Sequence, residues 1–90
     1  MKLINEIRQV TLEYTPNWHG WTCGPQQLKV SYNESLDSFC FEHDGVLLFI
    51  DGPKLQNPGE YEIDEFNFNF DISVIQAMDI MKMVWEWIHP

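Results

Sequence analysis

The chain has 90 residues with a formal charge of −9, 44% hydrophobic residues, four Trp and six Phe. Area scaling for one domain of this size gives about 5,500 Å² folded against about 15,500 Å² extended, so roughly two thirds of the surface is buried without help from a metal or a disulfide. The aromatic content excludes an acidic disordered chain, the charge argues against direct nucleic-acid binding, and no eighteen-residue apolar run offers a membrane span.

The opening MKLINEIRQV has neither an uninterrupted apolar run nor a small-residue cleavage site, so no signal peptide is expected and the expected location is cytoplasmic. Leu3, Ile7, Val10 and Tyr14 recur at helical spacing, which predicts a helix over 2–14. Leu12 falls on the wrong side of that wheel. The rival is a strand over 8–15 with Val10, Leu12 and Tyr14 inward. Pro16 to Gln26 reads as a loop punctuated by Gly20, Gly24 and Pro25, and it presents Trp18, His19 and Trp21.

From Gln27 the period changes to two. Leu28, Val30 and Tyr32 face one way and Lys29 and Ser31 the other. A polar turn over 33–37 follows, and then Phe39 and Phe41 alternate with Cys40 and Glu42. His43-Asp44-Gly45 predicts a tight reversal into a third strand, Val46 to Ile50, which Asp51-Gly52-Pro53 ends. These strands predict an antiparallel meander. Beyond the Asn57-Pro58-Gly59 turn, Tyr61 and Ile63 alternate with Glu60, Glu62 and Asp64. The phase slips at Asp64-Glu65 and puts Phe66, Phe68 and Phe70 inward, as expected of a bulged or broken strand.

Ile72 to Ile88 predicts a helix capped by Asp71 or by Ser73, the latter forming a capping box with Gln76. Gln76, Asp79, Lys82, Glu86 and His89 form one polar stripe, and the rest is apolar over more than half the circumference. A helix lying on a sheet needs less. The excess suits either the N-terminal helix beside it or a second copy of the chain, with Met83 and Trp87 as candidate dimer contacts. The expected fold class is α+β: a single domain with an antiparallel sheet of three to five strands and N- and C-terminal helices on one face.

The strongest functional signal is acidity. Between Lys29 and Lys82 the one basic side chain is Lys54, while carboxylates recur throughout. In the strand reading Glu60, Glu62 and Asp64 line one face about 6.6–7 Å apart, a pitch that roughly matches spaced phosphates. Glu65, Asp37, Glu42 and Asp44 extend the set. Such a surface fits a non-catalytic acidic protein that occludes a basic surface of a protein partner, as inhibitor, immunity factor or nucleic-acid mimic, with a nucleic-acid-binding protein among the candidate partners. Solubility alone is the competing explanation of the charge. Trp18 and Trp21 are candidate anchors for that partner, or rings folded over the end of the core.

Other chemistry is weaker. His19-x3-Cys23 and Cys40-x2-His43 have poor spacing for a zinc knuckle, because positions three apart in a strand point to opposite faces. No calcium loop is present. A thiol–imidazole pair of Cys23 with His19 or His43 lacks an orienting group, and the adjacent Asp64 and Glu65 are splayed. No catalytic residue, metal or cofactor is therefore expected. The alternatives are a structural or homodimerising subunit that uses the Met- and Trp-rich C-terminal helix, and a small metal-dependent or thiol enzyme. The chain is expected to be a monomer or a homodimer, with no direct nucleic-acid or membrane partner.

Overall fold

The computed structural model describes residues 7–16 and 24–90. The first described element is a strand, β1 (Ile7–Tyr14), and not the expected helix. Tyr14 is buried, with Val10 and Leu12 packed against the core, so all three apolar positions point one way. A helix would have left Leu12 outside. The β-branched Val10 and Thr11 suit a pleated surface, and all eight residues pair antiparallel with β2 (Gln26–Asn33). The remainder of the expected helix, residues 2–6, lies outside the described residues.

β2 continues into β3 (Ser38–His43) and β4 (Val46–Asp51), giving an antiparallel meander in the order β1-β2-β3-β4. Leu28, Val30, Phe39, Phe41 and Ile50 form its buried face. The reversals use aspartate in the left-handed region: Asp37 at φ 47° between β2 and β3, and Asp44 at φ 51° before Gly45 at φ 82° between β3 and β4. Asp-Gly with two positive φ angles is the hairpin turn whose twist matches its strands.

α1 (Gly52–Gln56) is a single turn that buries Leu55, with Pro53 at its start. Gly52 sits against the Asp37 turn, its N–H donating to the Asp37 carbonyl at 2.8 Å. A Cβ there would collide with the Asp37 carboxylate, which accepts the Tyr32 hydroxyl at 2.9 Å.

The expected strand at 60–70 is a helix, α2 (Glu60–Phe70). The Phe66, Phe68, Phe70 alternation suggested period two. Ile63, Phe66, Asn67 and Phe70 also fit helical spacing, and that set turns inward, with Ile63 half-buried and the other three buried. Phe66 meets Phe41 and Phe70 edge to face, each at 4.9 Å between ring centres, so α2 packs on the buried sheet face. Glu62 accepts the Gly59 N–H at 2.9 Å and closes the N-terminus.

α3 (Val74–Ile88) matches the sequence closely. Ser73 is the cap: its Oγ accepts the Gln76 N–H at 3.1 Å and its own N–H donates to Gln76 Oε1 at 3.4 Å. Asp71, the other candidate, is left-handed at φ 53° and ends α2. Ala77, Ile80, Met81 and Val84 are buried. α2, in place of an N-terminal helix, is the neighbour beside α3. The result is an α+β domain, with a four-stranded antiparallel sheet and its helices packed on one face.

Candidate functional site

The residue type that dominates the sequence does not gather on the sheet. On the face away from the helices, cross-strand rows run Gln9-Ser31-Cys40-Phe49 and Thr11-Lys29-Glu42-Leu47. Glu42 is the one carboxylate in these rows, with Lys29 as its cross-strand neighbour, and the other two on this face, Glu13 and Asp51, stand at the ends of opposite edge strands. Asp37 and Asp44 bracket the two ends of β3, about 23 Å apart at an ordinary strand rise, and both shape turns. The expected coherent anionic sheet face is therefore corrected: helix formation took residues 60–65 off the sheet, and two further aspartates serve backbone reversals.

What the fold does bring together lies on α2. Tyr61, Asp64, Glu65 and Phe68 stand at i, i+3, i+4 and i+7, so they share a helix face. Tyr61 is 72% exposed and Phe68 70%, and the two positions are about 10.5 Å apart along the axis. Asp64 is exposed between them and Glu60 flanks the first turn. Glu65 is held in place, because the Asn69 amide donates to its carbonyl at 2.7 Å and to its carboxylate at 3.2 Å. Glu62 points elsewhere, its carboxylate capping its own helix. The strand reading of the sequence misses both rings, since it puts Tyr61 inward and Phe68 in the core, whereas the helix exposes both. The available signal was Pro58-Gly59 followed by an acidic first turn, a helix-start pattern.

Of the remaining candidates, Trp18 and Trp21 lie outside the described residues, as do His19 and Cys23. Met83 is exposed, whereas Trp87 is half-buried and packs against the core cluster. Cys40 and His43 project to opposite faces of β3. Burial, then the Glu42 charge, pushes the Cys40 thiol above its ordinary pKa, which keeps it protonated and poorly nucleophilic near neutral pH. His43 Nδ1 donates to the Gln27 carbonyl at 2.9 Å, and its ring meets Tyr14 edge-on at 5.9 Å. Among the described residues no three His, Cys, Asp or Glu side chains converge as metal ligands, and no helix is long and apolar enough to cross a membrane.

A cleft of about 540 Å³ opens between α1 and α3, with Leu55, Met81 and Trp85 among its apolar walls and Asp79, Lys82 and Glu86 at its side. It brings no nucleophile against a base. No protein-family model, curated protein or solved structure matches this chain.

Proposed function

We propose that the protein is a non-catalytic acidic binding protein that occludes a basic surface of a protein partner, with the solvent face of α2 as its contact element. The observation that carries this reading is the pair of exposed rings, Tyr61 and Phe68, with Asp64 and Glu65 between them. Large aromatic side chains with two rotatable bonds make strong anchors at small entropic cost. Carboxylates beside them favour a partner whose apolar pockets are rimmed by Lys or Arg. The net charge of −9 adds long-range steering toward such a surface and away from nucleic acid itself. Inhibition, immunity and nucleic-acid mimicry are three outcomes of the same occlusion, and each proceeds without bond chemistry.

Two variants test the reading on any partner captured from a host lysate and then purified. Tyr61→Ala with Phe68→Ala should speed dissociation by about tenfold or more. Glu60→Gln, Asp64→Asn and Glu65→Gln together should slow association at low salt and flatten its salt dependence. Capture that neither variant weakens would defeat α2 as the contact element. Association rates independent of salt would defeat the basic partner.

A further inference from the structure

We infer that the protein self-associates through the outer edge of β4, with the β4 strand of a second copy adding antiparallel to it to give one continuous eight-stranded sheet. The inference stands apart from the α2 reading. Among the described residues no strand pairs with that edge, since β4 ends the sheet order. Edge strands expose a row of backbone donors and acceptors, and proteins that stay monomeric usually guard them with Lys, Pro, a bulge or inward-pointing charge. β4 reads Val-Leu-Leu-Phe-Ile-Asp and pairs with β3 without a bulge over all six residues. Its single charge is at its end. The opposite edge, β1, presents Gln9, Thr11 and Glu13 on the open face and an exposed Arg8.

The choice of a second copy over a foreign strand comes from the register. A two-fold axis at Leu48 places Leu47 opposite the second copy's Phe49 and Phe49 opposite the second copy's Leu47. These are the side chains the fold leaves 53% and 66% exposed on the open sheet face. Directly opposed residues on one face of an antiparallel pair bring Cβ atoms to about 4.5–5.5 Å, where aliphatic and aromatic groups pack. In the same register Val46 meets Ile50, and Asp51 falls opposite Gly45 instead of opposite its own kind. The contact is isologous, so it uses up both unguarded edges and closes at two copies.

Charge sets the sign of a discriminating test. Two chains of −9 repel, so salt must strengthen this contact, whereas it weakens a complex with a basic partner. Sedimentation of the full chain over roughly 1–100 µM, at low and high salt, should show dimer mass that grows with salt. Phe49→Lys should raise the dissociation constant about tenfold or more. With Cys23→Ser and Cys40→Ser in place, Leu47→Cys plus Phe49→Cys should form intermolecular disulfides on oxidation, and either cysteine alone should link poorly, because the register opposes 47 to 49. The double-cysteine result keeps the test decisive if Phe49→Lys fails to fold. Monomer mass at every concentration and salt overturns the inference. So does a dimer that Phe49→Lys leaves intact, or one whose paired cysteines do not link; a dimer surviving both would belong to another surface, such as the exposed Ile75, Met78 and Met83 of α3.

Discussion

α2 and α3 pack side by side on the same sheet face and obey different rules. α3 buries Ala77, Ile80, Met81 and Val84 and turns Asp79, Lys82 and Glu86 outward, together with Val74, Ile75, Met78 and Met83. α2 buries Asn67 and exposes the neighbouring Phe68. The inversion has a structural half and a functional half. Inside, the Asn67 amide donates to the Ile72 carbonyl in the turn that joins the two helices, so a buried polar group is satisfied there and the turn is pinned. Outside, Tyr61 and Phe68 remain 72% and 70% exposed. The exposed apolar residues of α3 are aliphatic or methionine, whereas those of α2 are aromatic and flank carboxylates.

The largest expected effects test whether the two helices share one core. Phe66→Ala removes the ring that joins Phe41 to Phe70 and should cost about 3–5 kcal/mol. Met81→Ala, its counterpart on α3, should cost about 2–5 kcal/mol. Denaturant unfolding of both should remain one cooperative transition with lower midpoints. A separate early transition in either variant would show that the helix in question docks as an accessory.

Next come the devices that hold the α2–α3 turn. Asn67→Ala strands the Ile72 carbonyl, and leaving a buried group unpaired costs about 1–3 kcal/mol. Ser73→Ala removes only the cap of α3, at about 1 kcal/mol. Equal losses on denaturant unfolding would mean that Asn67 does no more than an ordinary cap, and the contrast between the helices would shrink to their surfaces.

Both helices are also tied to the end of β1. The Tyr14 hydroxyl donates to the last carbonyl of α2, Phe70, at 3.5 Å, and the Gln76 amide of α3 donates to the Thr15 carbonyl at 2.7 Å. The α2 tie is the one that titrates. Burial first, and the Asp71 charge second, push the Tyr14 hydroxyl up to about 12, against about 10 for an unfolded tyrosine. The raised folded-state value means that the unfolded chain loses its proton first. Stability should therefore be intact below about pH 10 and fall as pH climbs toward 12. Tyr32 acts in the same direction, raised by burial and by its bond to Asp37. Tyr14→Phe should remove part of the alkaline loss in unfolding midpoints measured from pH 9 to 12. An unchanged slope would place that loss elsewhere.

Legibility in the sequence followed the same division. The β2–β3–β4 meander and α3 were readable because buried and exposed positions keep a single period, and because Asp44-Gly45 and Ser73-Gln76 mark their ends. β1 was misassigned because Leu3, Ile7, Val10 and Tyr14 keep helical spacing while Val10, Leu12 and Tyr14 keep period two. What decides for a strand is eight residues of pairing with β2, which no local window contains. α2 was misassigned because a buried Asn67 beside an exposed Phe68 imitates alternation. The acidic residues do not gather on one sheet face, because residues 60–65 belong to α2. Charge alone does not reveal which carboxylates are spent on left-handed turns, as at Asp37 and Asp44, or on capping, as at Glu62.

The smallest expected stability effect is the most informative. Phe68→Ser and Tyr61→Ser remove large apolar side chains that are already mostly in water, so unfolding free energy should change within about 0.5 kcal/mol. If these rings serve the fold, each change should instead approach the 3–5 kcal/mol of a core aromatic, and α2 becomes an ordinary helix with an odd surface. If stability holds while affinity for a basic partner collapses, the rings act in the contact with that partner. Asn67 serves as the internal control. It lies next to Phe68 in sequence but on the buried side of the helix, so Asn67→Ala should reduce stability and, in the fraction that remains folded, leave partner affinity unchanged.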